Sequence, residues 1–204
     1  MIDYQFWIPV IVSILAIVFT GYQHFVSNKQ FLFDRRISVY RMYKILLNHQ
    51  KEASCYVEKT SSELCVHYML ISALTNDSKL SLGVTGWNDR DDSLMKPKNH
   101  KAFLDMIEKL RDYGTESYFI FDKCGQKLCD YYNKYADLCF KTYQYSILMK
   151  EFENETLRLD VIEDKQKAFH DELNQIYVDL CKISDSIKIS KLEKSISFIR
   201  RQQI

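Results

Sequence analysis

The chain has 204 residues, with 14 tyrosines, 12 phenylalanines, five glycines and two prolines, and 28 Lys and Arg against 27 Asp and Glu. A net charge of +1 sets up no field that would draw in a polyanion, so nucleic acid is not an expected partner. So few turn formers disfavour a many-stranded sheet; the expected class is all-α, with enough chain for one domain with a real core.

No Asp, Glu, Lys or Arg lies between Asp3 and Lys29, and about 20 apolar helical residues cross a hydrocarbon core roughly 30 Å thick. QFWIPVIVSILAIVFTGYQHF, residues 5–25, therefore reads as a membrane span. A cleaved signal peptide begins with basic residues, runs about 7–15 apolar residues and ends at a small-x-small site. Asp3 and the longer run favour a retained anchor, residues 1–28. Trp7 and Tyr22 stand where amphipathic rings gather at the two interfaces, and Pro9 falls in the first turns, where a missing donor costs little. Ser13, Ala16 and Thr20, with His24 one turn further on, share a face. Small residues let membrane helices approach closely, which makes the first three candidates for helix pairing.

Lys and Arg are retained on the cytoplasmic side. None precedes the span, whereas Lys29, Arg35, Arg36, Arg41 and Lys44 follow it. The expectation is an N-terminus outside and residues 29–204 in the cytoplasm, with Arg35, Arg36 and Arg41 holding the inner leaflet. In that reducing compartment the six cysteines (55, 65, 124, 129, 139, 181) are read as buried thiols rather than three bridges. Phe33, Ile37, Tyr40, Lys44 and Leu47 recur at steps of four and three, so an apolar seam continues out of the membrane. Residues 33–40, FDRRISVY, resemble a juxtamembrane pattern, F-[DE]-x-R-x-x-[IV]-Y, of uncharacterised short bacterial proteins with one N-terminal span. The resemblance implies an inner-membrane setting and a role in defence or in a mobile element, and it supplies no catalytic residue.

Leu64, Tyr68 and Ile71 keep a helical pattern to about residue 74. Residues 76–100 then lose the period, and long loops in compact domains are functional or mobile. Trp87, Asp89, Arg90, Asp91 and Asp92, with His100 beyond them, make this loop the first place to look for a ligand. The acids lack the order of a calcium loop, and a solvated turn accounts for the same residues. Lys96, Lys98 and Lys101 add a small basic cluster suited to phosphate or anionic lipid.

A helix over residues 99–113 follows, with Phe103, Ile107 and Leu110 on one face and Gly114 as its stop. SYFIF, residues 117–121, suits a short strand or the start of the next helix; helix is preferred for most of 118–152. Ile162, Gln166, Phe169, Leu173, Ile176, Leu180, Ile183 and Ile187 keep a four-three seam before the register slips to Leu192, Ile196 and Ile199. That is a long C-terminal helix packed on its neighbours or against a second copy.

The sequence contains no GxxxxGK[ST], GxSxG, HExxH, GxGxxG or CxxC, the spacings that carry phosphate binding, acyl transfer, zinc hydrolysis, dinucleotide binding and dithiol chemistry. Helical ribonucleases of the HEPN family place a histidine four to six residues beyond an arginine; the nearest pair here, Arg41 and His49, has seven between. No catalytic residue, cofactor or metal is assigned. The expected protein is a single membrane helix followed by a cytoplasmic antiparallel helical bundle, acting as an interaction, sensor or regulatory protein with membrane lipid and a protein partner or itself. The alternatives are an effector that perturbs the bilayer by oligomerising its span, and an anchored enzyme with a site near residues 87–100.

Overall fold

The computed structural model describes residues 4–60, 97–153 and 159–201, and among these it contains helices and no strand. The helices are α1 (Tyr4–Thr60), α2 (Pro97–Ile120), α3 (Asp122–Glu153), α4 (Leu159–Ser186) and α5 (Ile189–Arg201). Arg35 and Ser38 of α1 meet Glu116 and Tyr113 of α2 in inverse order, so these two helices are antiparallel. Lys141 and Tyr145 of α3 likewise meet Glu172 and His170 of α4. The result is an up-down-up-down bundle, with α5 continuing the downward course of α4 along α1 through Tyr40–Glu193 and Arg36–Ser195.

α1 is one helix of 57 residues, about 85 Å long at 1.5 Å per residue. The large side chains of its first half stand exposed, whereas its second half supplies Val39, Met42, Tyr43, Leu46, Leu47 and Ala53 to the core. The expected seam of Phe33, Ile37, Tyr40, Lys44 and Leu47 lies mostly at the edge of this stripe, and Lys44 is exposed. The buried arc is centred one position away because α1 is flanked by α2 on one side and by α4 and α5 on the other, and a lysine at the centre of either contact would lose its solvation.

α2 starts at Pro97, where a missing N–H is harmless, so residues 97–100 of the expected loop are helical. It also runs through Gly114 instead of ending there. A Cβ at Gly114 would lie 3.2 Å from Tyr132 Cβ and 3.3 Å from Cys129 O; this glycine lets α2 and α3 approach. The true end comes at Phe121, a one-residue link whose N–H donates to Ser117 O at 3.1 Å. SYFIF is thus neither a strand nor the start of the next helix but the last turn of α2 plus this link. At Gly125 the approach is closer still, since a Cβ there would stand 2.7 Å from Ser117 O.

The long C-terminal helix is divided at Ile187 and Lys188, where the register of the seam slips. Leu173, Leu180, Ile187 and Leu192 are buried, with Phe169, Ile176, Ile183 and Ile196 packed against the same core, so this part of the seam packs within the bundle. The expected helix at Leu64, Tyr68 and Ile71 lies outside the described residues, as does the rest of the 76–96 stretch.

Candidate functional site

Three places bear on function: the span, the cationic collar below the bundle, and a polar interior between α1, α3 and α4.

In the span, eight large apolar side chains from Ile8 to Phe19 are each more than half exposed. In water they would forgo on the order of 10 kcal/mol of burial, as much as the stability of an ordinary domain. Trp7 and Tyr22 are exposed toward the two ends of this stretch. Ser13, Ala16 and Thr20 are exposed as well, but Ser13 Oγ donates to Pro9 O and Thr20 Oγ1 to Ala16 O, both at 2.7 Å. The hydroxyls are satisfied within their own helix, which leaves a smooth small-residue face with no demand for a polar partner.

The three arginines of the collar part ways. Arg35 reaches Glu116 at 3.2 Å and stacks over Phe31 at 5.5 Å. Arg36 turns inward: Nη1 donates to Ser195 O and Oγ at 3.2 Å, and the guanidinium lies 5.6 Å from the Phe121 ring. Burial lowers its pKa while the charge of Asp122 opposes the shift, so Arg36 fastens α5 and the α2–α3 link to α1. Arg41 stays exposed and lines a groove of about 730 Å³ between α1 and α2, with Asp34, Tyr40, Lys44, Lys109 and Tyr113 around it. His49, the next histidine along the chain, is buried eight residues away on the same helix, about 12 Å along the axis, so the two do not form a paired site.

His100 is tethered by a 2.5 Å contact between Nδ1 and Tyr143 Oη, and Tyr143 packs on Phe103 at 4.9 Å. Its neighbour in this structure is α3. Trp87, Asp89, Arg90, Asp91, Asp92 and Lys96 lie outside the described residues. No group of three or more His, Cys, Asp and Glu converges among the described residues. Of the described cysteines only Cys139 is fully buried, and burial pushes its thiol up; Cys55 is exposed.

Sequence reasoning missed the polar interior. Tyr131 donates to Gln50 Oε1 at 3.1 Å, and Gln50 Nε2 lies 3.2 Å from both Ser184 Oγ and Cys181 Sγ. One turn on, Ser54 Oγ and Tyr177 Oη meet at 2.6 Å. Tyr132 donates to Val39 O at 2.5 Å, and Tyr43 meets Tyr131 edge-on at 5.0 Å. Burial pushes Tyr43 and Tyr177 up to about 12 and holds Tyr131, Tyr132 and Tyr135 well above the usual phenol value. These groups are locked neutral at ordinary pH, so the network fixes which helices pair and offers no acid or base. A sequence signal existed: Val39, Tyr43, Leu46, Gln50 and Ala53 also follow four-three steps, with a glutamine where an apolar seam would carry a leucine. In comparisons with known proteins, the chain matches no family model, no curated protein and no solved structure.

Proposed function

We propose that the chain is a single-pass membrane protein whose helical bundle works by binding, as an interaction, sensor or regulatory module held at the bilayer. One observation carries this reading. A single unbroken helix is bare and apolar over its first half and core-forming over its second, so whatever fixes the span also fixes the bundle's position and axis. The five basic side chains from Lys29 to Lys44, with none before the span, favour an N-terminus outside and the bundle in the cytoplasm. The resemblance of residues 33–40 favours a bacterial inner membrane and a setting of defence or a mobile element. Membrane lipid is the first partner, and the bundle's outer faces are offered to a protein or to a second copy.

A passive anchor is favoured over a pore-forming effector because the span carries no charge and its Ser13 and Thr20 hydroxyls are already bonded within the helix. A water-filled pore would need polar groups facing its lumen. An enzyme near His100 is less favoured, because that ring is engaged by Tyr143.

Induction of the full chain, with a potential-sensitive dye and a carbonate wash of the membranes, tests the proposal. The protein stays in the washed membrane and the potential holds. Release by carbonate would refute the anchor, and depolarisation would replace it with the effector.

A further inference from the structure

Resting on the anchor reading, we infer that the corner between α2 and α3 is a second membrane contact, in which Tyr118 and Phe119 dip into the lipid headgroup layer on the bundle's side. Among the described residues, every exposed aromatic ring outside the span is at this end of the molecule: Phe31, Tyr118 at 53% exposure and Phe119 at 78%. Their height follows from the helix geometry. The Arg35–Glu116 pair puts Glu116 nine residues past Val26, the last apolar residue of the span. Phe119, three residues further down the antiparallel α2, is level with residue 32, roughly 9 Å beyond Val26 at 1.5 Å per residue. The headgroup layer is about 5–8 Å thick on each side. The backbone at position 119 thus stands just outside that layer in an upright bundle, and a tilt of α1 of about 20° toward the α2 side lowers a corner roughly 9 Å off its axis by about 3 Å, into the belt that amphipathic and aromatic side chains favour.

The corner is built to present them. Phe121 is buried under Arg36, Gly125 lets α3 abut the carbonyls of Ser117 and Tyr118, and Tyr118 and Phe119 brace each other edge to face at 5.3 Å. Little conformational freedom remains to be lost on docking. Around them stand Lys29 over Phe25 at 4.2 Å and Arg35 over Phe31, with Lys191 and Lys194 beside Arg36. Glu116 and Asp122 at the same level temper this charge, so ring insertion rather than attraction to anionic lipid drives the contact. Two attachments would hold the bundle at one tilt where a single helix would leave it free to swing.

The test uses full-length chain in phosphatidylethanolamine and phosphatidylglycerol vesicles, part of the lipid being brominated near the headgroup end of its acyl chains. With Trp7→Phe and Trp87→Phe as background, Phe119→Trp gives a reporter at the corner. Val178→Trp gives one at the far end of the bundle, beside Tyr177, which bonds Ser54. Both positions are exposed, and circular dichroism checks that each variant folds. A third chain, Trp87→Phe alone, reports the span through Trp7. The expected result is strong quenching at Trp7 and at position 119 and none at 178. Quenching at Trp7 with position 119 as unquenched as 178 would leave the anchor standing and overturn the corner contact. No quenching at any position would overturn both. Emission at 119 that is shifted to the blue, ignores brominated lipid and follows protein density would give the rings to a second copy of the chain, which also overturns the lipid assignment.

Discussion

The two halves of α1 share a helix and much of their apolar alphabet, yet one is bare and the other packed. From Ile8 to Val26 the large side chains are exposed all round, and a helix that is apolar on every face belongs in lipid or in the centre of a large protein. From Val39 to Ala53 the buried side chains occupy one arc, while Arg41, Lys44, Lys51 and Glu52 stand on the other. The placement of charge around the helix, more than the supply of apolar residues, sets the two halves apart.

The largest test of that division is Leu46 against Leu15. Leu46 is fully buried and Leu15 is 62% exposed. Leu46→Ala should cost the bundle about 2–5 kcal/mol, read as a lower urea midpoint in detergent, and leave membrane retention intact. Leu15→Arg should do the reverse, raising the insertion cost by about 3–4 kcal/mol without moving the midpoint. If Leu15→Arg also shifted the midpoint, the halves would not be separate folding environments.

Glycines sharpen the same contrast. Gly125→Ala would push a methyl against the Ser117 and Tyr118 carbonyls, backbone that cannot step aside cheaply. About 1–3 kcal/mol of stability should be lost. Gly114→Ala meets side chain and backbone at 3.2–3.4 Å and should cost less. Gly21→Ala, with nothing within 4 Å in the span, should leave the bundle's midpoint where it was.

What could be read from the sequence divides along the same line. The long apolar N-terminal helix, the helical class and the C-terminal seam were legible because long periodic or unbroken apolar runs report on themselves. The end of α2 was not. Gly114 looks like a helix stop in a single sequence, and only the approach of Tyr132 and Cys129 turns it into a packing glycine. The centre of the α1 stripe was misplaced for a similar reason, since two flanking neighbours set the buried arc. Gln50 and its partners are far apart in the chain and come together only in the bundle. Arg36 was legible as a cation just after the apolar run, but not as the clasp on Ser195.

The tyrosines of the interior predict an alkaline weakness confined to the bundle. Tyr131, Tyr132 and Tyr135 are buried and neutral, with folded pKa values raised above 10. Their contribution is therefore complete below pH 10 and is lost as pH rises toward the folded values. Three such groups give a slope of up to about 4 kcal/mol per pH unit above 10, seen as a steep fall in melting temperature. At neutral pH the hydroxyls differ. Tyr131→Phe strands the buried Gln50 Oε1 and should cost about 1–3 kcal/mol. The Tyr135 hydroxyl has no hydrogen-bond partner among the described residues, and Tyr135→Phe should be neutral or stabilising while flattening the alkaline slope. Equal losses from the two would remove the Gln50 network as the determinant of pairing.

The smallest expected effect lies at the end of the bundle farthest from the span, roughly 20 Å along α3 beyond Tyr131. There His170 Nε2 and Tyr145 Oη meet at 2.8 Å, against the Phe169 ring. Burial lowers the His170 pKa from its ordinary 6.5, with the neighbouring charge of Asp171 opposing the shift. Between the folded and unfolded values the unfolded chain binds more protons, so the stabilisation is present above about pH 6.5 and drains away as pH falls through the lower folded value. Because the ring is partly exposed, solvent screening keeps the change modest. His170→Gln should remove that acid slope from the urea midpoint between pH 7.5 and 5, and leave carbonate resistance and Trp7 quenching untouched. An acid slope that persisted in full in the variant would assign the proton to another group and leave His170 as a packing residue only.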